Sequence, residues 1–351
     1  MAEAAEQEFA VVPDTKSLLE RAGVAWLAAL RGRLAALQDA KRLPHGLLLT
    51  GGHGAGQLEV AAWLAARLLC RGGASGPCGA CADCRLFAAG SQPDFHWVGV
   101  PEDRKEIGID QLRGLSAVLS LRSYRGGAKV AVIFPAEAMK AKAQNALLKT
   151  LEEPPEDTYL ILAANRIDRL ARTILSRCLR LAMPRPTAGE ALAWLQALAP
   201  GEPWPVLLGL ADGAPFLAAE LSEAGLAGLD AEMREALRDA MEGRLDAVVF
   251  AATCARDAPA ARLAWLESWL MHSLKEAALS SDLVNNNRLP WLRPPGLDTK
   301  IRAGYGLLDQ LREARRQVGG SLNMPLLFEG LAVSLAAWVG RAAQRSGENT
   351  G

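Results

Sequence analysis

Three patterns in this chain place chemically active side chains at telling spacings: a glycine loop, a cluster of cysteines, and an arginine between serine and cysteine. Gly51-x4-Gly56 has the spacing of a phosphate-binding loop, where backbone N–H groups at a helix N-terminus hold an anion. In a working loop of this kind the next two residues are Lys, which reaches the β and γ phosphates, and Ser or Thr, which holds Mg²⁺. Here they are Gln57 and Leu58. An amide carries no charge and leucine offers a metal no oxygen, so productive ATP or Mg²⁺ binding is not expected, although the backbone can still cradle an anion. Taken alone, the loop reads equally well as an ordinary strand-to-helix turn. A dinucleotide fingerprint is set aside, because the last glycine of Gly52-x-Gly54-x-Gly56 comes too early for it.

Cys70, Cys78, Cys81 and Cys84 form C-x7-C-x2-C-x2-C, with Gly76, Pro77 and Gly79 at the turns. Four thiolates can surround one Zn²⁺ tetrahedrally at about 2.3 Å, and such a closed site is structural because no position is left for water or substrate. A C-x-x-C redox pair or four unconnected thiols are the competing readings. Cys178 and Cys254 stand far away and read as small buried apolar side chains. His45, His53, His96 and His272 are scattered and receive no ligand role.

The elements that must position these residues follow from periodicity. Helical spacing runs from about Lys16 to Ala40 as one helix or two, then Leu47–Leu49 leads into the glycine loop and a helix from Leu58 to Cys70. Apolar runs recur at Phe95–Val100, Val130–Phe134, Tyr159–Ala163 and Leu179–Met183, separated by helical patterns at Gly108–Ser120, Glu137–Leu151 and Ile167–Ile174. That alternation predicts a parallel sheet covered by helices on both faces, ended by Pro184-Arg185-Pro186. Beyond it the chain reads as all-α, with helices at Ala188–Leu198, Val206–Asp212, Ala214–Ala224, Leu229–Cys254, Ala260–Ser280, Thr299–Val318 and Pro325–Arg345, and with proline clusters at 200–205 and 290–295. Without any resemblance the fold class is therefore α/β followed by all-α.

The strand ending at Phe134 runs into Pro135-Ala136-Glu137, where an ATPase carries an acidic pair for Mg²⁺ and water. Next come Gln144-Asn145-Ala146-Leu147-Leu148-Lys149-Thr150-Leu151-Glu152-Glu153-Pro154-Pro155 and, after a further strand, Thr173-Ile174-Leu175-Ser176-Arg177-Cys178. These blocks resemble the clamp-loader branch of the AAA+ proteins, and the cysteine insertion is similar to that of the bacterial members. Asp212–Pro215, Pro259–Leu266 and Leu322–Leu327 extend the resemblance, which is dense over residues 45–180 and sparse after 225. It implies an AAA+ domain over 1–184 with a zinc module at 70–84, a small helical lid over 185–227, and a helical collar for oligomerisation over 228–345.

The resemblance also implies roles. ATP-hydrolysing gamma and tau subunits carry the loop Lys and Thr, the acidic pair and a second-domain Arg; those places hold Gln57, Leu58, Pro135 and Phe216 here. Losing all four points to a non-hydrolysing accessory subunit of a DNA polymerase holoenzyme, with no activity of its own. Arg177 matches the arginine finger that reaches a neighbour's γ-phosphate, a fixed fork whose charge is permanent. The implied partners are the gamma/tau and delta clamp-loader subunits and, indirectly, the sliding clamp and primer-template DNA. Two alternatives are an active gamma/tau-like ATPase and a stand-alone zinc-stabilised nucleic-acid-binding protein.

Composition bears on the last of these. Among 351 residues, 39 Lys+Arg balance 39 Asp+Glu, and aromatics make up 5 %, so neither bulk charge nor many stacking rings are available for autonomous nucleic-acid binding. The apolar half is normal for a globular chain of two or three domains. Met1–Ala10 is acidic, unlike a secretory signal, and no run reaches the ~20 apolar residues of a membrane helix, so a cytoplasmic location is expected.

Overall fold

The structure, a computed structural model, describes residues 12–73, 76–101, 104, 106–225, 228–279, 297–318 and 323–347. The acidic start, the proline cluster at 290–295 and Leu322 lie outside the described residues. The chain divides into two compact units, Met1–Trp194 with Ala214–Leu217, and Leu195–Gly213 with Ala218–Gly351.

In the first unit five strands, β1 (Gly46–Thr50), β2 (Phe95–Val98), β3 (Lys129–Ile133), β4 (Thr158–Ala164) and β5 (Leu179–Ala182), form one sheet. Its order is β2-β3-β4-β1-β5, every neighbouring pair is parallel, and Leu48 lies beside Leu162 on one side and Arg180 on the other. The helices are α1 (Thr15–Arg21), α2 (Ala28–Asp39), α3 (Gln57–Leu69), α4 (Ala82–Ala88), α5 (Ile109–Leu119), α6 (Ala141–Glu152) and α7 (Arg172–Leu175). Period-two alternation divides the sheet's side chains between two cores. Leu47, Leu49, Val130, Val132, Ile161 and Ala163 pack with residues of α1 and α3. Leu48, Ala131, Ile133, Leu160 and Leu162 pack with residues of α5 and α6.

The strands fall where the apolar runs predict them, but several helices break. The pattern over Glu137–Leu151 is a 3₁₀ turn at Ala136–Ala138 followed by α6, because Met139 and Lys140 are extended. Met139 bridges Ile107, whose N–H bonds the Ala138 carbonyl at 3.0 Å. Ile167–Ile174 likewise splits into a 3₁₀ turn, extended Leu170 and Ala171, and the short α7. The region Lys16–Ala40 is α1, a 3₁₀ turn and α2. The breaks at Met139 and at Ala171 come with tertiary hydrogen bonds that periodicity does not report.

After β5 come α8 (Ala188–Leu198), α9 (Trp204–Leu210), α10 (Pro215–Glu223), α11 (Leu229–Met241), α12 (Ala247–Arg256), α13 (Pro259–Leu279), α14 (Leu297–Gln317) and α15 (Met324–Gly347). The expected single helix over Leu229–Cys254 is two, since Gly243 takes φ +71° and Asp246 caps α12 by accepting from the N–H groups of Val248 and Val249. Leu263, Leu266, Leu270, Phe328 and Leu331 share the second unit's core. Buried Arg262 is held there by Glu232, with two bonds of 2.9 Å, and by Asp257 at 3.0 Å. Burial disfavours its charge, but these carboxylates outweigh that and raise its pKa. Among the described residues no helix is long and apolar enough to cross a membrane.

Leu48 is fully buried in the centre of the sheet. Leu48→Ala should therefore lower stability by about 2–5 kcal/mol in urea melts. Leu121→Ala, at a position 65 % exposed, should change it by no more than about 0.5 kcal/mol.

Candidate functional site: a filled glycine loop, a cysteine cluster and a displayed arginine

The glycine loop follows β1 at the point where the strand order reverses, the usual ligand position of an open parallel sheet. Gly56 precedes α3 with φ +106°, and Gln57, the first residue of the helix, is buried. Its side-chain Nε2 donates toward Gly51 O at 2.8 Å, Gly52 O at 3.0 Å and Asn165 Oδ1 at 3.2 Å. The amide thus turns inward onto the loop's carbonyls, while a lysine here would extend toward phosphate. Leu58 is only partly buried and packs against the adjacent core. Glu137 is also committed internally, accepting the Asn165 N–H at 3.1 and 3.2 Å. Asn165, just after β4, thus bonds both Gln57 and Glu137, a role its isolated place in the sequence does not signal.

The loop is covered by residues of its own unit. A Cβ on Gly54 would overlap the backbone nitrogen of Leu217, and one on Gly56 would meet the Phe216 ring at 3.1 Å. Phe216 sits in an aromatic cluster, 5.9 Å from Trp26 and 5.1 Å from Trp194 between centroids, with the Arg21 guanidinium 5.7 Å from its ring. Where an active subunit is expected to present an arginine, this chain therefore has a buried ring.

The four cysteines predicted to act together do meet. Their sulfur atoms all lie within 4.8 Å of one another, with Cys70 to Cys81 and Cys78 to Cys84 each at 3.9 Å. A tetrahedron with bonds of about 2.3 Å has edges of about 3.8 Å, so one ion the size of zinc fits the set. Backbone N–H groups point at the sulfurs: Gly72 and Cys78 at Cys70, Cys81 at Cys78, and Cys84 at Cys81, all at 3.3–3.4 Å. Burial pushes the Cys81 thiol up, but hydrogen bonds from the Cys84 and Arg71 backbones and from neighbouring thiols outweigh it and bring it to about 6. Burial raises Cys84 to about 12. Asp83 ties this module to the sheet, accepting from Gln92 Nε2 at 3.2 Å and Arg125 Nε at 3.0 Å. Cys178 and Cys254 are buried, as their isolation in the sequence suggested.

Arg177 follows α7, and α6 fixes the segment that leads into that helix. Buried Gln144 donates to Met139 O at 2.9 Å and Arg169 O at 3.3 Å, and accepts the Ala171 N–H at 2.7 Å. Ser176 Oγ donates to Thr173 O at 3.1 Å, and Cys178 is packed in the core beside Leu151 and Ile174. Serine and cysteine therefore anchor the turn on either side of a side chain that stays 34 % exposed. Arg177 bonds Glu152 Oε1 at 2.5 Å, Thr173 O at 3.0 Å and Ser176 Oγ at 3.2 Å. The sequence supplied Gln144 and Glu152 as parts of a motif but gave neither its task.

Fold and site together define a five-stranded parallel α/β domain with a glycine loop after its first strand, in which the Gln57 amide turns onto the loop's own carbonyls. The family described as DNA polymerase III, delta subunit, matches residues 28–187. DNA polymerase III subunit delta' of Pseudomonas aeruginosa is 34 % identical over 307 residues, covering 84 % of this chain and 93 % of that one. DNA polymerase III subunit tau of Escherichia coli is 36 % identical over 140 residues, 40 % of this chain and 21 % of that one. A solved DNA polymerase III gamma subunit-related protein of Thermotoga maritima aligns with 87 % of this chain and 99 % of its own at 18 % identity and TM-score 0.44. The chain belongs to the DNA polymerase III subunit delta' family.

Gly54 and Gly52 give a matched pair of tests. Gly54→Ala places a Cβ into backbone at φ +70°, whereas a Cβ on Gly52 meets nothing within 4 Å. Gly54→Ala should lower the thermal midpoint by an amount equivalent to about 1–3 kcal/mol, and Gly52→Ala should cost less than about 1 kcal/mol.

Proposed function

We propose that this chain is the non-hydrolysing member of a clamp-loader complex, supporting ATP-dependent loading of a sliding clamp onto primed DNA during replication. The observation that carries the reading is the Gln57 amide, bonded to the carbonyls of its own glycine loop at 2.8 and 3.0 Å, where a hydrolysing subunit needs a lysine directed at phosphate. Leu58 supports it, since its side chain has no oxygen to offer Mg²⁺. On this reading the chain has no enzymatic activity of its own and acts in the cytoplasm as an accessory to a DNA polymerase. Its partners are gamma/tau and delta subunits and, through them, the clamp and primer-template DNA. Residues 185–227 serve as lid and 228–345 as collar.

Arg177 is then an arginine finger in trans. Its guanidinium stands on a braced turn, partly exposed, and would neutralise charge developing on a phosphoryl group held by the adjacent subunit. The cysteine set would hold one structural Zn²⁺, locking a loop that carries little apolar core of its own.

Arg177→Ala should leave the chain folded and able to assemble with gamma/tau and delta subunits, yet slow hydrolysis at the pocket it serves by about 10³-fold. Unchanged turnover in the reconstituted complex would remove the finger. Metal analysis should return one zinc per chain, and double substitution of Cys81 and Cys84 by Ala should lower both zinc content and melting temperature. A metal-free protein with unaltered melting would exclude the structural zinc.

A further inference from the structure

The two sequence blocks that distinguish this chain end on opposite sides of one ion pair. Glu152 closes α6, and its Oε1 lies 2.5 Å from Nη2 of Arg177. The other arm of the guanidinium, Nη1, donates to Thr173 O and Ser176 Oγ. Both partners are part exposed, 34 % for arginine and 49 % for glutamate, so water competes for each of them. A pair in that setting biases an equilibrium by only about 1.4- to 5-fold. A phosphate offers the same fork several charged oxygens and bidentate geometry, and so displaces a single carboxylate.

We propose that Glu152 is a positioning residue: it parks Arg177 against its own domain and yields it to the phosphate bound by a neighbouring subunit. The proposal rests on Arg177 acting in trans. Bonding to Glu152 and bonding to phosphate compete for Nη2, so the parked conformer opposes nucleotide-dependent engagement. Once phosphate holds the fork, Glu152 is no longer its partner and contributes nothing to the transition state. The pair therefore acts on half-saturation and leaves maximal turnover alone.

Glu152→Gln keeps the shape and removes the charge. In the complex reconstituted with gamma/tau and delta subunits, it should lower the MgATP concentration for half-maximal turnover about two- to five-fold at unchanged kcat. If the pair only stiffens the end of α6, the same variant would raise that concentration, lower kcat or reduce assembly, and any of these overturns the proposal. Arg177→Ala run in parallel separates the two layers. If Arg177→Ala slows turnover while Glu152→Gln half-saturates like the wild type, the finger stands and the parking is wrong. If Arg177→Ala changes nothing, both fall. The isolated chain gives an independent readout: rotation about the Arg177 Cζ–Nη bond, followed by ¹⁵N exchange, should be slow in the wild type and faster in Glu152→Gln. Equal rates would overturn the parking.

Discussion

A glycine loop at the end of a buried strand leaves backbone groups that need partners, and in this chain one amide supplies them. The Gln57 NH₂ reaches Gly51 O, Gly52 O and Asn165 Oδ1 within 3.2 Å. Those bonds tie the loop's carbonyls to the first turn of α3, a pairing that an anion, itself an acceptor, could not provide. Everything nearby conforms to that closure. Glu137 is taken by the Asn165 N–H, and Phe216 and Leu217 occupy the space beside Gly56 and Gly54. Around this glycine loop, side-chain hydrogen bonds and aromatic packing make a continuous interior.

The same domain keeps two surface features rigid. Asp83, buried within the cysteine module, is bonded by Gln92 and Arg125, so the module is tied to the loops that lead into β2 and β3. Gln144 on α6 holds the segment leading into α7 with two bonds, to Arg169 O and from the Ala171 N–H, and His45 Nε2 meets Leu151 O at 2.8 Å where α6 passes the start of β1. Beyond α7, Arg177 stays 34 % exposed while bonded to Glu152, Thr173 and Ser176 of its own domain.

The central strands β1, β3 and β4 were legible because they are buried on both faces and read as near-continuous Val, Leu, Ile and Ala runs. The cysteine cluster was legible because ligand spacing is local, and Gln57 because its place after Gly56 is fixed by covalent geometry. Helix continuity was not. Met139 is extended by its bridge to Ile107, and Ala171 by the Gln144 side chain 27 residues away, and neither disturbs an apolar period. The tasks of Asn165, Gln144 and Glu152 were hidden for the same reason: their partners are set by how β4, α6 and α7 come together.

The most direct test is calorimetric titration of MgATP into the isolated full-length chain, with Gln57→Lys/Leu58→Thr as the comparison. An amide-closed loop predicts no binding heat for the wild type at millimolar nucleotide, and none restored by the double substitution while Phe216 and Leu217 still cover the loop. Tight, saturable MgATP binding by the wild-type chain, with phosphate release, would contradict the account.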